Sequence, residues 1–356
     1  MSKQAMLTFI PTGAIIIHTN QQRGDKMANQ EPYNVFMLFT DRAPVDWEIV
    51  NTSHGESDFR EVIIARFADD SKLVIKLSDN DFTFPEKIKI WQRCAEKYRK
   101  LGYYCPAILP SLNGDFPTVR YKEHDCVVYA EECSLYKSVL ERDSEENCML
   151  YASGYMDEAV IMTAKVAAQR FDFSEYPSGY CLFERFCPSD KADEVLEIAM
   201  KWKEYADLLP SQFSEQVQRI WGRWLENRSE LEKIYPQLPT SVFQADLNAT
   251  NLLADENGNF KGMFDFNICG RDVFLNYLFR ELCCEIPKIL HALDICRPYY
   301  RFSEIERAAA TPLYRCLAPL WHTLDDPQKT SMDNTQIQAR LDNIERLQNT
   351  TIDIPA

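Results

Sequence analysis

The 356-residue chain has no CxxC pair and only five histidines. Structural zinc sites are built from paired cysteines or Cys/His sets at short spacing, so this composition argues against zinc. Twelve cysteines are present, mostly with apolar or aromatic neighbours (Tyr104-Cys105-Pro106, Tyr180-Cys181-Leu182, Leu282-Cys283-Cys284). That setting suits free thiols in a core more than a disulfide framework, and it favours a reducing cytosol. Positive charge is also in deficit: the formal net charge is −15. So acidic a surface repels nucleic acid and anionic membranes and attracts cations such as an amine-bearing molecule. No apolar run reaches membrane-spanning length. No internal repeat, coiled coil or low-complexity tract interrupts the chain.

One apolar run, Ala5 to Ile17, contains Pro11 and Gly13 and lacks a small-residue cleavage site after it, so it does not read as a signal peptide. Arg23-Gly24-Asp25-Lys26-Met27 can be encoded by a purine-rich ribosome-binding sequence ahead of a start codon. Met27 is therefore the expected start, with residues 1–26 a non-native or disordered leader. Mass spectrometry of the native N-terminus decides this: a peptide from before Met27 refutes it.

What the chain does have is concentrated between residues 241 and 266. Asp246 precedes Asn251 by five residues, and Asp265 follows Asn251 by fourteen. Leu252-Leu253-Ala254 and Phe260 to Phe264 are short apolar-rich runs around Asp255-Glu256-Asn257-Gly258-Asn259. Asn-Gly favours the positive φ of a tight turn, so this reads as a hairpin with a five-residue connection. In an antiparallel hairpin the start of one strand lies beside the end of the other. Asn251 and Asp265 should then meet. Phosphoryl transfer from a nucleotide needs one carboxylate to orient an attacking hydroxyl, plus oxygen ligands to hold Mg²⁺ on the phosphates. Asp246 suits the first role, Asn251 and Asp265 the second. A lone D-x4-N is usually a turn; the ordered set with its hairpin is far more specific.

This segment resembles the catalytic loop and metal-binding hairpin of the aminoglycoside phosphotransferase and choline kinase group, whose pattern runs H-G-D-L-x-x-x-N-L-L, a hairpin, then I-D-F or I-D-W. The resemblance implies an α+β, protein-kinase-like two-lobe fold, with a small antiparallel-sheet N-lobe and a large, mostly helical C-lobe. It implies a catalytic Asp246, with Asn251 and Asp265 as metal ligands. Gln244 stands where the family has a loop-bracing His, and Asn267 replaces the Gly of a D-F-G motif. The specific part covers about residues 241–270, and the order of elements extends it to roughly 40–300.

Other segments fall into place. Val62 to Phe67 and Leu73 to Leu77 form a strong hairpin across Asp69-Asp70-Ser71, within a stretch, 33–77, that reads as strands. Lys76 on it resembles the phosphate-binding Lys of the fold. Asn51 to Arg60 stands at the phosphate-covering loop, with Ser53 and Ser57 as candidate contacts through small, hydroxyl-bearing positions; it has one Gly only, so its other reading is a polar β-turn. A helix over 85–101, with Pro85 in its first turn, buries Ile88, Trp91, Ala95 and Tyr98. The family's Glu on this helix corresponds to Gln92, which can hydrogen-bond Lys76 without pairing its charge. Glu86 and Glu96 read as solvated. Residues 115–130 read as a hairpin, and Cys126 to Glu132 as the strand leading to the hinge, where backbone beside Glu131 would meet the base of the nucleotide.

Helical periodicity covers 156–170, 189–208, 211–235, 276–296, 303–323 and 333–347. Asp272 is expected to cap the helix that follows it. The expected division is a leader (1–26), an N-lobe that binds nucleotide (27–131), and a helical C-lobe carrying the catalytic loop and acceptor pocket (132–356). The implied activity is ATP-dependent transfer to a hydroxyl of a small polar molecule such as an amino sugar or amine, with Mg²⁺, in the cytoplasm. GTP is the alternative donor. The chain is expected as monomer or homodimer, without nucleic-acid or membrane partners. The competing reading is a nucleotide-binding pseudokinase or regulatory module, suggested by Gln244 and Gln92. Phosphorylation of protein or lipid ranks low, because no long activation segment fits between Asp265 and the helix near 275.

Overall fold

The computed structural model describes residues 30–53, 55, 57–140, 147–321 and 332–355. The leader and Met27 lie outside them. In chain order the elements are α1 (Gln30–Phe36), β1 (Asp46–Asn51), β2 (Phe59–Arg66), β3 (Lys72–Asp79), α2 (Pro85–Lys100), β4 (Ile108–Leu109), β5 (Thr118–Tyr121), β6 (His124–Glu132), β7 (Lys137–Ser138), α3 (Met156–Ala168), α4 (Glu194–Ala206) and α5 (Ser214–Ile234). Then follow β8 (Thr240–Phe243), β9 (Leu252–Ala254), β10 (Phe260–Met263), β11 (Gly270–Val273), α6 (Phe274–Glu281), α7 (Ile286–Cys296), α8 (Glu304–Trp321) and α9 (Asn334–Gln348).

The chain divides into two compact units, one of residues 1–148 with 246–269, the other of 149–245 with 270–356. The boundary expected from sequence was 131/132, with the catalytic loop in the helical half. Backbone pairing groups residues 246–269 with the first unit instead: β9 pairs β7 in a separate sheet of order β10-β9-β7, and the backbone of β10 bonds Tyr104.

The first unit is built on an antiparallel sheet of order β1-β2-β3-β6-β4, with β5 also paired to β6. Alternation fixes its two faces. Ile63, Ala65, Ile75, Leu77, Val128 and Ala130 point into a closed core with Tyr121 and Cys126. Val62, Ile64, Val74 and Lys76 point to the opposite face. The 115–130 hairpin forms as expected, turning at Lys122 and Glu123, both with positive φ. Residues 33–36 belong to helix α1 rather than to a strand. A helix of 7 residues has little stability of its own; burial of Val35 and Phe36 in the sheet core stabilises it. Helix α2 buries Ile88, Trp91, Ala95 and Tyr98, and Glu86 and Glu96 are exposed, as the periodicity requires.

The second unit is mainly helical. The indole N–H of Trp224 on α5 donates to the carbonyl of Cys316 on α8, and Arg228 forms a buried ion pair with Asp193. The periodic stretch 276–296 is two helices, α6 and α7. The chain takes left-handed conformations at Cys283 and Cys284, and Pro287 opens α7. A helix cannot run through such a break, although the apolar spacing does. Helix α4 starts at Glu194, not 189, because Asp193 caps it through the Leu196 amide. Among the described residues no helix is long and apolar enough to cross a membrane. All twelve cysteines are free thiols.

Candidate active site

The β9–β10 hairpin is held at both ends by its own sequence. At the turn, the Asp255 carboxylate accepts from the amides of Asn257 and Asn259, and Gly258 takes φ +76°. At the middle, Gly262 lies against Tyr104. A Cβ there would stand 1.9 Å from the Tyr104 carbonyl oxygen, so only glycine permits this approach. Two backbone bonds depend on it, Tyr104 N–H to Lys261 O and Met263 N–H to Tyr104 O. At the open end, the Phe264 amide donates to the Asn251 carbonyl at 3.0 Å. This bond sets Asn251 next to the residue preceding Asp265, as the hairpin reading requires. Asp265 itself sits at φ +62°, a conformation costly for a residue with a Cβ.

Asn251 orders the loop before it. Its Nδ2 donates to Asp246 Oδ2 at 2.8 Å and to the Asp246 carbonyl at 3.2 Å. Asn248 Nδ2 donates to Asp246 Oδ1 at 2.5 Å. Two neutral amide donors thus hold the Asp246 carboxylate in place. Because the amide nitrogen of Asn251 faces Asp246, its Oδ1 points elsewhere and can act as a ligand. Ser138 on β7 lies 2.7 Å from the Thr250 carbonyl, and the Ala249 amide donates to the Cys148 carbonyl, so this loop is anchored within the first unit.

Lys76 completes the cluster. Its ammonium stands 3.2 Å from Asp265 Oδ1 and 3.1 Å from Glu131 Oε1. The three side chains are 15%, 16% and 8% exposed, so solvent screens them little. Burial alone would depress the lysine, but the carboxylates of Asp265 and Glu131 outweigh it and hold the ammonium charged well above its ordinary range. Glu131 is pushed up by burial, against the pull of Lys76.

These groups line a cavity of about 360 Å³ inside the first unit. One part of its wall is apolar, from Val62, Ile64, Val74, Leu140, Leu253 and Phe264. The other is polar, from Lys76, Glu131, Asn251, Asp265, Thr52 and Arg60. An apolar wall with a few placed polar groups is the usual form of a small-molecule site.

Several expectations change. Gln92 does not meet Lys76: its Nε2 donates to the Ile108 carbonyl at 2.8 Å. Glu131, expected beside the hinge backbone, instead forms an ion pair with the lysine. Ser53 spends its hydroxyl on the Arg60 backbone, closing its own loop, and Ser57 is exposed; Thr52 is the loop residue that lines the cavity. Gln244 is fully buried in the second unit. Sequence reasoning missed Arg60. Its guanidinium pairs with Asp58 at 2.6 Å, and its Nε is buried without a hydrogen-bond partner. Strand alternation could have found it, since Arg60 lies two residues before Val62 on the face that carries Lys76. Asp272 is not a helix cap either. The N-cap is Val273, and Asp272 accepts from Ser178, Asn276 and the Val273 amide in the core of the second unit.

No family model and no curated protein matches the chain. Solved structures do. An aminoglycoside phosphotransferase from Alicyclobacillus acidocaldarius superposes with a TM-score of 0.51 at 12% identity, over 90% of this chain and 94% of the other. A microcompartment-associated aminopropanol kinase superposes with a TM-score of 0.52 at 14% identity, over 89% and 94%. The chain has the protein-kinase-like fold of these small-molecule phosphotransferases.

Proposed function

We propose that the protein is an ATP-dependent phosphotransferase acting on a hydroxyl of a small polar molecule. The observation that carries this reading is the pairing of Asn251 with Asp246 and of Lys76 with Asp265, with Asn251, Asp265 and Lys76 lining one cavity whose wall also offers apolar side chains to a base. In this reading Asp246 orients the acceptor hydroxyl and takes its proton as the oxygen–phosphorus bond forms. Lys76 offsets charge on the phosphates while the bond to the departing nucleoside diphosphate breaks. Position and fixed charge supply nearly all of the catalysis.

Asn251 and Asp265 would hold Mg²⁺. The fit is good: both are hard oxygen donors, Asn251 presents its Oδ1 away from Asp246, and Asp265 already faces a cation, the Lys76 ammonium. When bound, the ion would neutralise charge on the phosphates of the nucleotide. ATP is the preferred donor in this reading, with GTP as the alternative to be tested.

The acceptor is proposed to carry an amine. The two solved structures are named for an aminoglycoside and for aminopropanol, and a net charge of −15 suits a cationic partner. The test is Mg²⁺-dependent consumption of ATP against amino sugars, amino alcohols and choline-like amines, with Asp246→Asn as control. Turnover on an acceptor that this substitution abolishes supports the enzyme. Nucleotide binding with no turnover on any acceptor replaces it with a binding module.

A further inference from the structure

We propose that Glu131 on strand β6, rather than a carboxylate on helix α2, is the counter-ion that positions Lys76 for the nucleotide. The inference rests on the phosphotransferase reading and assigns it a positioning residue.

Sheet register makes the pair. Lys76 lies opposite Tyr129, and Glu131 lies opposite Val74, on adjacent strands. Lys76 and Glu131 are therefore diagonal neighbours on one face, a separation that two long side chains span readily. Their 3.1 Å contact is thus set by the pairing of two central strands. Helix α2 offers no acid to the lysine. Its acidic residues Glu86 and Glu96 are exposed, and Gln92 is turned to Ile108. Ile108 in turn pairs with Glu131 across β4 and β6. Gln92 therefore braces β4, the strand beside the one that bears the counter-ion, and does not bond the cation.

The charge balance explains why a second carboxylate is needed. Lys76 now bridges Asp265 and Glu131. If Asp265 turns to a divalent cation arriving with the nucleotide, the lysine loses one partner. Glu131 has no such competing duty and keeps the ammonium aimed into the cavity. Because this partner comes from the sheet, alignment of Lys76 does not require movement of α2.

The experiment compares Glu131→Gln, Glu131→Asp and Gln92→Ala with the parent protein by two readouts. The first is the rate of acetylation of the Lys76 amine without nucleotide, followed by mass spectrometry. The second is kcat and nucleotide KM. Glu131→Gln should speed Lys76 labelling several-fold and lower kcat roughly tenfold to a hundredfold through misplacement of the lysine, with a smaller change in KM. Glu131→Asp, which keeps the charge, should fall between it and the parent, and it carries the test if Glu131→Gln does not fold. Gln92→Ala should change labelling little. Faster labelling in Gln92→Ala than in either Glu131 variant overturns the proposal and makes α2 the positioning element. Absence of nucleotide binding by the parent protein would instead refute the phosphotransferase reading, and the labelling comparison would still show which residue holds Lys76.

Discussion

Two acids seven residues apart in the chain, the half-buried Asp265 and the buried Asp272, show how differently the two units use the same side chain. Asp272 is wholly buried in the second unit and accepts from Ser178, Asn276, Tyr235 and the Val273 amide. Burial pushes its carboxyl up, while its neutral donors hold it down. Its oxygens are taken up by these donors. Asp265 keeps a cation as its partner, stands at a strained φ, and opens on a cavity shared with a second acid. A carboxylate surrounded by fixed donors organises a core; one paired to a lysine beside a cavity can exchange that partner for a ligand.

That contrast can be broken by substitution. Asp265→Asn should reduce turnover by about 10²- to 10³-fold while leaving the thermal midpoint nearly unchanged, since Glu131 still neutralises Lys76. Steady-state kinetics with calorimetry would check both. Gly262→Ala should cost about 3 kcal/mol or more in denaturant unfolding, because the added methyl meets the Tyr104 backbone. Asp272→Ala should show the reverse of Asp265→Asn: a loss of about 3 kcal/mol from several stranded buried donors. A catalytic loss without a stability loss at Asp272 would dissolve the comparison.

Smaller effects sharpen it. Arg60→Ala should weaken nucleotide binding by about 1–2 kcal/mol for ATP, less for AMP, and leave adenosine unchanged, if the guanidinium faces phosphates. Equal losses for all three ligands would assign Arg60 to its loop alone. The exposed turn at Asp69 sets the baseline. Ser71 and Arg42 hold its carboxyl down to about 2. A carboxyl depressed in this way contributes stability above its unfolded value, and that contribution is lost as pH falls through about 2. Ser71→Ala should move the Asp69 titration upward, measurable by NMR, with no effect on turnover.

Much of this was legible in the residues. The β2–β3 hairpin, helix α2, the β5–β6 hairpin and the β9–β10 hairpin each carry local signals: alternation, 3.6-residue spacing, and Asn-Gly or acidic turns. Asp246, Asn251 and Asp265 were readable because a tight hairpin converts a count along the chain into proximity. Helix α6 was misjudged because apolar spacing continues through Cys283 and Cys284 while the backbone reverses sign.

The partner of Lys76 was a different kind of question. Sequence alone specified a lysine in a β-branched strand, a glutamine at the usual helix position, and an acid at the end of a later strand. It did not specify which of them meet. That depends on the order β3-β6-β4 and its register, which arise from pairing of strands that are not neighbours in the chain. Local pattern determines which way a side chain points along its own strand. Only the assembled sheet decides that Glu131 lies diagonally from Lys76 and that Gln92 finds a carbonyl instead.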